Sequence, residues 1–258
     1  MSVWYCIPSA RPPEEAEKVL KLWRERGYKI ALWRDAKDHP FGRVGSNHLI
    51  QLITGGPYPG YAASVNKLIA FVMGNDPSAE WFVTGGDDVE PDLNHTAEGI
   101  AEECSAHFGW HGNPKAFGII PGAAYSTAGV MQPTGDRFAS GSIDKICGSP
   151  WMGREFCLRM YGGKGPFWPE YTRFFMDEEL QLVAQKYGVL WQRPDLIHLH
   201  RWYGRADKSL TSGTRPTSPP EHLKHQEARW NPEKEIFERR RAAGFPGSEP
   251  KTALYGSV

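Results

Sequence analysis

Between Leu68 and Pro114 the chain has no Lys or Arg, yet it carries nine carboxylates there: Asp76, Glu80, Asp87, Asp88, Glu90, Asp92, Glu98, Glu102 and Glu103. Something else must balance part of that charge. Asp87 and Asp88 follow an apolar run, Glu80 to Thr84, and two glycines. Both should therefore project from the carboxyl end of a buried strand, where crowded carboxylates favour a hard divalent cation such as Mg2+ or Mn2+. The plainer reading of an Asp-Asp pair is an acidic turn or helix start. His198-Leu199-His200 is a second candidate, because alternate residues of a strand share a face and two imidazoles can then meet one metal or phosphate. Ordinary core or surface histidines would give the same pattern. In Phe174-Phe175-Met176-Asp177-Glu178-Glu179-Leu180, three carboxylates follow an aromatic run. They suit the first turn of a helix, whose dipole they offset. A general base would occupy the same rigid position at the edge of a pocket.

Other chemistry is missing. Gly162-Gly163-Lys164-Gly165 lacks the spacing of a phosphate-cradling loop, no GxGxxG follows a strand, and no Ser sits in a GxSxG elbow. ATPase, dinucleotide dehydrogenase and esterase readings are thereby set aside.

The elements that must position these residues alternate. Val3 to Ile7 is a short apolar strand stopped by Pro8-Ser9. After Pro12-Pro13, the apolar residues Ala16, Val19, Leu20, Leu22 and Trp23 recur at helical spacing as far as Gly27. Glu14, Glu15 and Glu17 open that helix, and Lys21, Arg24 and Arg26 close it in accord with its dipole. Lys29 to Trp33 is a second strand ending at Arg34-Asp35. A strand-helix-strand unit of this kind predicts a parallel sheet, with its ligand at the carboxyl ends of the strands, near Ser9, Arg11 and Asp35. His48 to Ile53 reads as a strand, Ala62 to Gly74 as a helix, and Glu80 to Thr84 as a buried strand. From Gly109 to Gly165 the chain is rich in loops, with short apolar pieces at 117–120 and 125–131. Asp177 to Tyr187 reads as a helix, and 189–191 and 196–199 as edge strands. The run 211–220 is rich in Ser, Thr and Pro and reads as a linker.

The 258 residues carry 30 Lys+Arg and 30 Asp+Glu, so global basicity gives no argument for nucleic-acid binding. The charge is nevertheless segregated. Residues 190–258 hold 12 Lys+Arg against 8 Asp+Glu, and the preceding part holds 18 against 22. The longest apolar run, Leu68 to Gly74, is far short of the ~20 residues that cross a bilayer. No membrane association is expected, and the location expected is the cytoplasm. Cys6, Cys104, Cys147 and Cys157 have no CxxC spacing and are expected to be reduced thiols. The expected organisation is an α/β domain over residues 1–203, a central, mostly parallel sheet flanked by helices with a mixed C-terminal extension, and then a linker and basic helical tail over 204–258.

With these residues set out, the chain resembles the GT-A-fold glycosyltransferases over roughly residues 1–203. The resemblance is carried by Val3-Trp-Tyr-Cys-Ile-Pro-Ser-Ala-Arg11, by Asp35, by the 62–74 helix, by Trp81-Phe-Val-Thr-Gly-Gly-Asp-Asp-Val89, and by the later Asp177-Glu178 and a His near the last strand. It implies a nucleotide-sugar donor, UDP-linked for preference, held by Pro8, Ser9, Arg11, Asp35, Asn66 and Asp87. It implies a Mn2+ or Mg2+ ion on Asp88, with Asp87 beside it and His200 or His198 completing the shell, and Asp177 or Glu178 as the acceptor's base in an inverting reaction. One position departs from the family pattern, since Gly86 stands where a full Asp-x-Asp motif has an acid. The stretches 148–156 and 165–171 are also similar to bacteriophage glycosyltransferases that modify hydroxymethylated pyrimidines in DNA. That similarity implies a DNA acceptor and the host cytoplasm. Lys224, His225, Arg229 and Arg239-Arg240-Arg241 would then follow phosphates, and Trp151, Trp168, Trp202 and Trp230 would be stacking platforms, although tryptophans of this kind more often belong to cores. No protein partner is implied. A sugar nucleotidyltransferase is the competing enzyme reading, but Pro8-Ser-Ala-Arg-Pro12 is not the Gly-rich loop such enzymes open with. A non-catalytic nucleic-acid-binding protein would account for the basic tail but not for the acids of 76–103.

Overall fold

The first strand, β1 (Ser2–Pro8), turns Val3, Tyr5 and Ile7 to one side of the sheet and Trp4 and Cys6 to the other, and all five are buried. A strand covered on both faces reads as a continuous apolar run, which is the mark of a parallel sheet with helices on each side. The computed structural model describes residues 1–35, 49–54, 58–111, 126–137, 144–201 and 228–251. The expected pieces at 117–120 and 211–220 lie outside the described residues.

Helix α1 (Pro13–Glu25) starts on Pro13, whose missing N–H is no loss in a first turn, and buries Ala16, Leu20 and Trp23. Gly27 ends it at a φ of 90° that a side chain would resist. The chain continues through β2 (Lys29–Asp35), β3 (Leu49–Thr54), α2 (Tyr61–Asn75), β4 (Ala79–Val83) and β5 (Val89–Glu90). It then passes through α3 (Ala97–His111), β6 (Val130–Pro133), β7 (Trp151–Gly153), α4 (Arg154–Arg159), α5 (Met176–Lys186), β8 (Leu190–Arg193), β9 (Leu199–His200) and α6 (Trp230–Ala242).

Among the described residues the main sheet has seven strands in the order β3-β2-β1-β4-β7-β6-β8. Strand β7 runs antiparallel to both its neighbours, and every other pairing in this sheet is parallel. The protein is thus α/β with a mostly parallel central sheet flanked by helices. Strands β5 and β9 form a separate antiparallel pair that matches Val89 with His200. The segment at 196–199, expected as an edge strand, supplies only Leu199 to a strand, and its partner is not the main sheet.

Two cores sandwich the sheet. One gathers Tyr5, Leu20, Trp23, Trp81, Ile100, Phe108 and Trp151, between the sheet and α1 and α3. The other gathers Trp4, Val65, Leu68, Phe82, Phe156, Phe175, Leu180 and Phe237. Helix α6 belongs to this second core, because Phe237 is buried and stacks on Phe175 with ring centroids 5.3 Å apart. Removing an aromatic side chain from such a position costs about 3–5 kcal/mol. None of the helices is long and apolar enough to cross a membrane, among the described residues.

Candidate functional site

The chain leaves β1 toward β2 and β3 on one side and returns to place β4 on the other. A crevice opens at such a reversal beyond the carboxyl ends of the strands, and ligands of open α/β sheets bind there. Pro8 closes β1, paired with Trp33. Ser9 and Arg11 follow it, and Gly85-Gly86-Asp87-Asp88 follows β4. Ser9 Oγ donates to Asp87 Oδ2 at 2.6 Å and Arg11 Nε donates to Asp87 Oδ1 at 2.8 Å. Asp87 therefore ties the two strand ends together, with both oxygens engaged inside the protein. Burial works against the charge on Arg11, but Asp87 outweighs it and keeps the guanidinium protonated. Arg34 supports the same loop, its Nη1 donating to the Arg11 carbonyl at 3.1 Å.

The turn after β4 is gripped from both sides of the sheet. Tyr5, stacked on Trp23 at 3.7 Å, donates its hydroxyl to the Gly86 carbonyl at 2.7 Å. Tyr61, at the start of α2, donates to the Gly85 carbonyl and lies 2.6 Å from Thr84 Oγ1. Asp88 folds back over Gly86. A Cβ added at Gly86 would stand 2.3 Å from Asp88 Oδ1, so the position that departs from Asp-x-Asp has no room for a side chain while Asp88 holds this rotamer. Asp88 Oδ1 faces His200 Nε2 at 3.4 Å. Their approach follows from the β5–β9 pairing, in which Arg201 N donates to the Asp88 carbonyl at 2.8 Å, while His200 N is held by Asp136 Oδ2 at 2.8 Å.

His198 does not share this position. It is buried against Trp23, ring centroids 5.1 Å apart, and its Nδ1 lies 2.8 Å from Ser149 Oγ. Ser149 uses its own proton on the Thr84 carbonyl. Proton counting then makes Nδ1–H the donor and leaves Nε2 as the acceptor. Burial, opposed by Asp92, holds the imidazole down at about 3, so it is neutral. The expectation that 198 and 200 present two imidazoles to one ion is corrected: the segment before Leu199 is not strand, and His198 braces the end of β4 from within the core.

Asp177 opens α5, with Glu178 N donating to its Oδ1 at 3.1 Å. Burial raises its carboxyl above the ordinary range, while backbone N–H groups and the nearby His200 pull the other way. Asp177 is near enough to Tyr61 and to His200 for the members of each pair to influence one another electrostatically. Glu178 is raised too, by burial and then by Asp177, against the pull of Arg241.

Asn66 is a correction. Its Nδ2 donates to the Phe167 carbonyl at 2.8 Å and its Oδ1 accepts the Phe167 N–H at 3.2 Å. A Cβ on Gly165 would meet the Asn66 amide at 2.6 Å. The amide pins the 165–167 strap to α2 and is not a ligand donor. Asp35 closes β2, and its side chain lies outside the described residues, as do Trp202, Lys224 and His225. Arg240 is buried on Glu179 and does not face a phosphate backbone, whereas Arg229, Arg239 and Arg241 are exposed. Trp151 is core, Trp168 lies under Arg240, and Trp230 is half-exposed against Phe174 and Phe175.

Sequence reasoning did not pick out Tyr5, Tyr61 or Asp136. Each acts through a long-range contact, and an aromatic residue in an apolar run gives no sign of a hydroxyl bond. No three His, Cys, Asp or Glu side chains converge as a ready metal shell among the described residues. Of the candidate metal ligands, Asp88 and His200 come together. Compared with known proteins, the sequence matches no family model, and no curated protein matches it.

Proposed function

We propose that the chain is a GT-A-fold glycosyltransferase that uses Mn2+ or Mg2+ to move a sugar from a nucleotide-sugar donor, UDP-linked for preference, to an acceptor hydroxyl. The observation that carries the reading is the meeting of three separate segments at the strand-order reversal, Ser9–Arg11, Asp87–Asp88 and His200, with Asp177 near enough to His200 to feel its charge. Arg11 keeps N–H donors beyond the Nε used on Asp87, and it suits a diphosphate. Asp88 and His200 fit a divalent cation, since a carboxylate oxygen and an imidazole nitrogen 3.4 Å apart, both partly exposed, can be ligands of one ion. The imidazole in that donor set favours Mn2+ over Mg2+, which prefers oxygen. Such a cation supplies neutralising charge for the departing diphosphate.

In an inverting transfer, Asp177 accepts the proton of the acceptor hydroxyl while that oxygen bonds to the anomeric carbon and the bond to the nucleoside diphosphate breaks. Burial raises its carboxyl, the direction that makes a carboxylate a stronger general base. Glu178 stands next in line, more open to solvent. For the acceptor, a hydroxymethylated pyrimidine in DNA is supported by the excess of basic residues after 190 and by exposed Arg229, Arg239 and Arg241.

Calorimetric titration with UDP, with and without Mn2+, tests the reading. Binding that requires Mn2+ in the wild type and is lost in a folded Asp88→Ala variant is expected. Unchanged Mn2+-dependent affinity in that variant refutes the assignment of Asp88. Transfer to hydroxymethylated duplex DNA that declines with salt is the outcome expected of a DNA acceptor.

A further inference from the structure

The carboxylate of Glu233, in the first turn of α6, is buried at 2% exposure and receives an unusual number of donors. Oε1 accepts Thr172 N at 3.2 Å and the Thr172 hydroxyl, and Oε2 accepts Arg173 N at 3.0 Å and Phe174 N at 2.7 Å. Three successive backbone N–H groups thus converge on one anion, an arrangement that binds carboxylates and phosphates alike. The next residue, Phe175, has a φ of 65° and immediately precedes α5. A bulky residue in the left-handed region is costly and persists only where its surroundings impose it. Those surroundings come from α6. Glu233 fixes the three amides before Phe175, Phe237 stacks on its ring, and Arg240 binds Glu179 four residues later with Nη2 at 2.7 Å from Oε1. Two residues beyond Phe175 stands Asp177.

We infer that Glu233 is a positioning residue for Asp177: by gathering the Thr172–Phe174 amides it fixes the left-handed turn from which Asp177 enters the crevice. The C-terminal helix is therefore part of the active-site scaffold, although none of its residues touches the reacting atoms. The inference rests on Asp177 being the base, and two kinds of readout keep the two ideas apart. The first is amide hydrogen exchange, which needs no activity. Glu178 N–H bonds the Asp177 carboxylate itself, so its exchange reports where that carboxylate sits. The second is the division of any kinetic loss between kcat and KM.

In Glu233→Gln, an amide NH2 replaces one accepting oxygen and opposes the backbone donors. Exchange at Arg173, Phe174 and Glu178 should quicken by about tenfold or more, and kcat should fall by about tenfold with KM for the nucleotide sugar unchanged. Glu233→Asp keeps both oxygens and should recover part of each effect; it also carries the test if the amide variant does not fold. Ile236→Ala loosens the packing of the same helix on the core but leaves the Glu233, Phe237 and Arg240 contacts in place, and should lower stability without changing Glu178 exchange or kcat. Unaltered Glu178 exchange in a folded Glu233→Gln protein overturns the inference, and so does an Ile236→Ala variant that reproduces both effects. If the chain transfers no sugar at all, the transferase reading fails and exchange alone decides the role of Glu233.

Discussion

Replacing Arg240 with Met removes one half of a buried ion pair and leaves the other half behind. Glu179 is 1% exposed and receives Arg240 Nε at 2.9 Å and Nη2 at 2.7 Å, together with the hydroxyls of Tyr161 at 2.7 Å and Tyr171 at 2.8 Å. After the substitution only the two phenols remain for a carboxylate that solvent scarcely reaches. Breaking a buried pair from one side costs about 3–5 kcal/mol. The guanidinium also lies 3.7 Å over the Trp168 ring, a contact of about 2 kcal/mol when desolvated, part of which the Met thioether recovers. A total loss of about 4 kcal/mol is therefore expected. The double variant Glu179→Gln, Arg240→Met keeps an acceptor for the phenols and removes the stranded charge, so it should be more stable than Arg240→Met alone by about 2 kcal/mol. Urea unfolding followed by tryptophan fluorescence measures both, with an unchanged m-value showing that the unfolded state is the same. A loss below about 1 kcal/mol for Arg240→Met, or a double variant as unstable as the two single losses added together, would refute the account of the pair.

Asp177→Asn should lower turnover by about 10²–10⁴-fold while sparing donor binding, and the acid limb of the wild-type kcat/KM profile should lie above the ordinary carboxylate range because burial raises this group. Donor affinity that falls as far as turnover would contradict a base. Burial alone would raise the Asp76 carboxyl, but donors from Lys29, Ser78, Trp4 and Ser2 outweigh it and hold the group well below its ordinary 3.8. A depressed carboxylate contributes stability that is present above the ordinary value and is lost as pH falls through the folded one. Asp76→Asn should therefore destabilise the protein at pH 7, with the gap to wild type narrowing below about pH 4 in thermal scans; a gap independent of pH would contradict the sign. Gly86→Ala must displace the Asp88 carboxylate, and should weaken Mn2+-dependent UDP binding with little change in melting temperature, whereas wild-type affinity would show that the Asp88 rotamer is not needed.

Much of the frame was legible in the residues. The runs at 3–7, 30–33 and 81–83 are apolar throughout because both faces of the sheet are covered, and that pattern already implies parallel strands with a site at their ends. Asp88 and His200 stand out in the residues as polar groups at strand ends, and the structure brings those two together, while Asp177 opens a helix as its place in the sequence suggests. Asn66, His198 and Arg240 were misread for one common reason: each is polar by type but finds its partner far away in sequence, at Phe167, Ser149 and Glu179. Helix α3 was not recognised, since Gly99 and Gly109 and its scattered acids blur the helical period. The left-handed Phe175 gave no local sign, because a residue of that kind normally avoids the conformation and only α6 imposes it.

The two adjacent carboxylates after β4 take opposite tasks, and the difference follows from which neighbours each one meets. Asp87 lies toward β1 and is neutralised within the protein by Ser9 and Arg11. Asp88 lies toward β9 and meets an imidazole across a partly exposed gap. Two like charges at one strand end would otherwise repel each other, and here one is neutralised by Ser9 and Arg11 while the other is set opposite His200. Using one aspartate as the tie fixes the turn from which the other carboxylate is aimed. Tyr5 and Tyr61, gripping the two glycine carbonyls from opposite cores, complete that fixation. The glycines let the turn lie close enough for both grips, and Gly86 also yields the space that Asp88 fills. An acid at position 86 would compete for that space, so the departure from Asp-x-Asp and the inward fold of Asp88 are two aspects of one local solution.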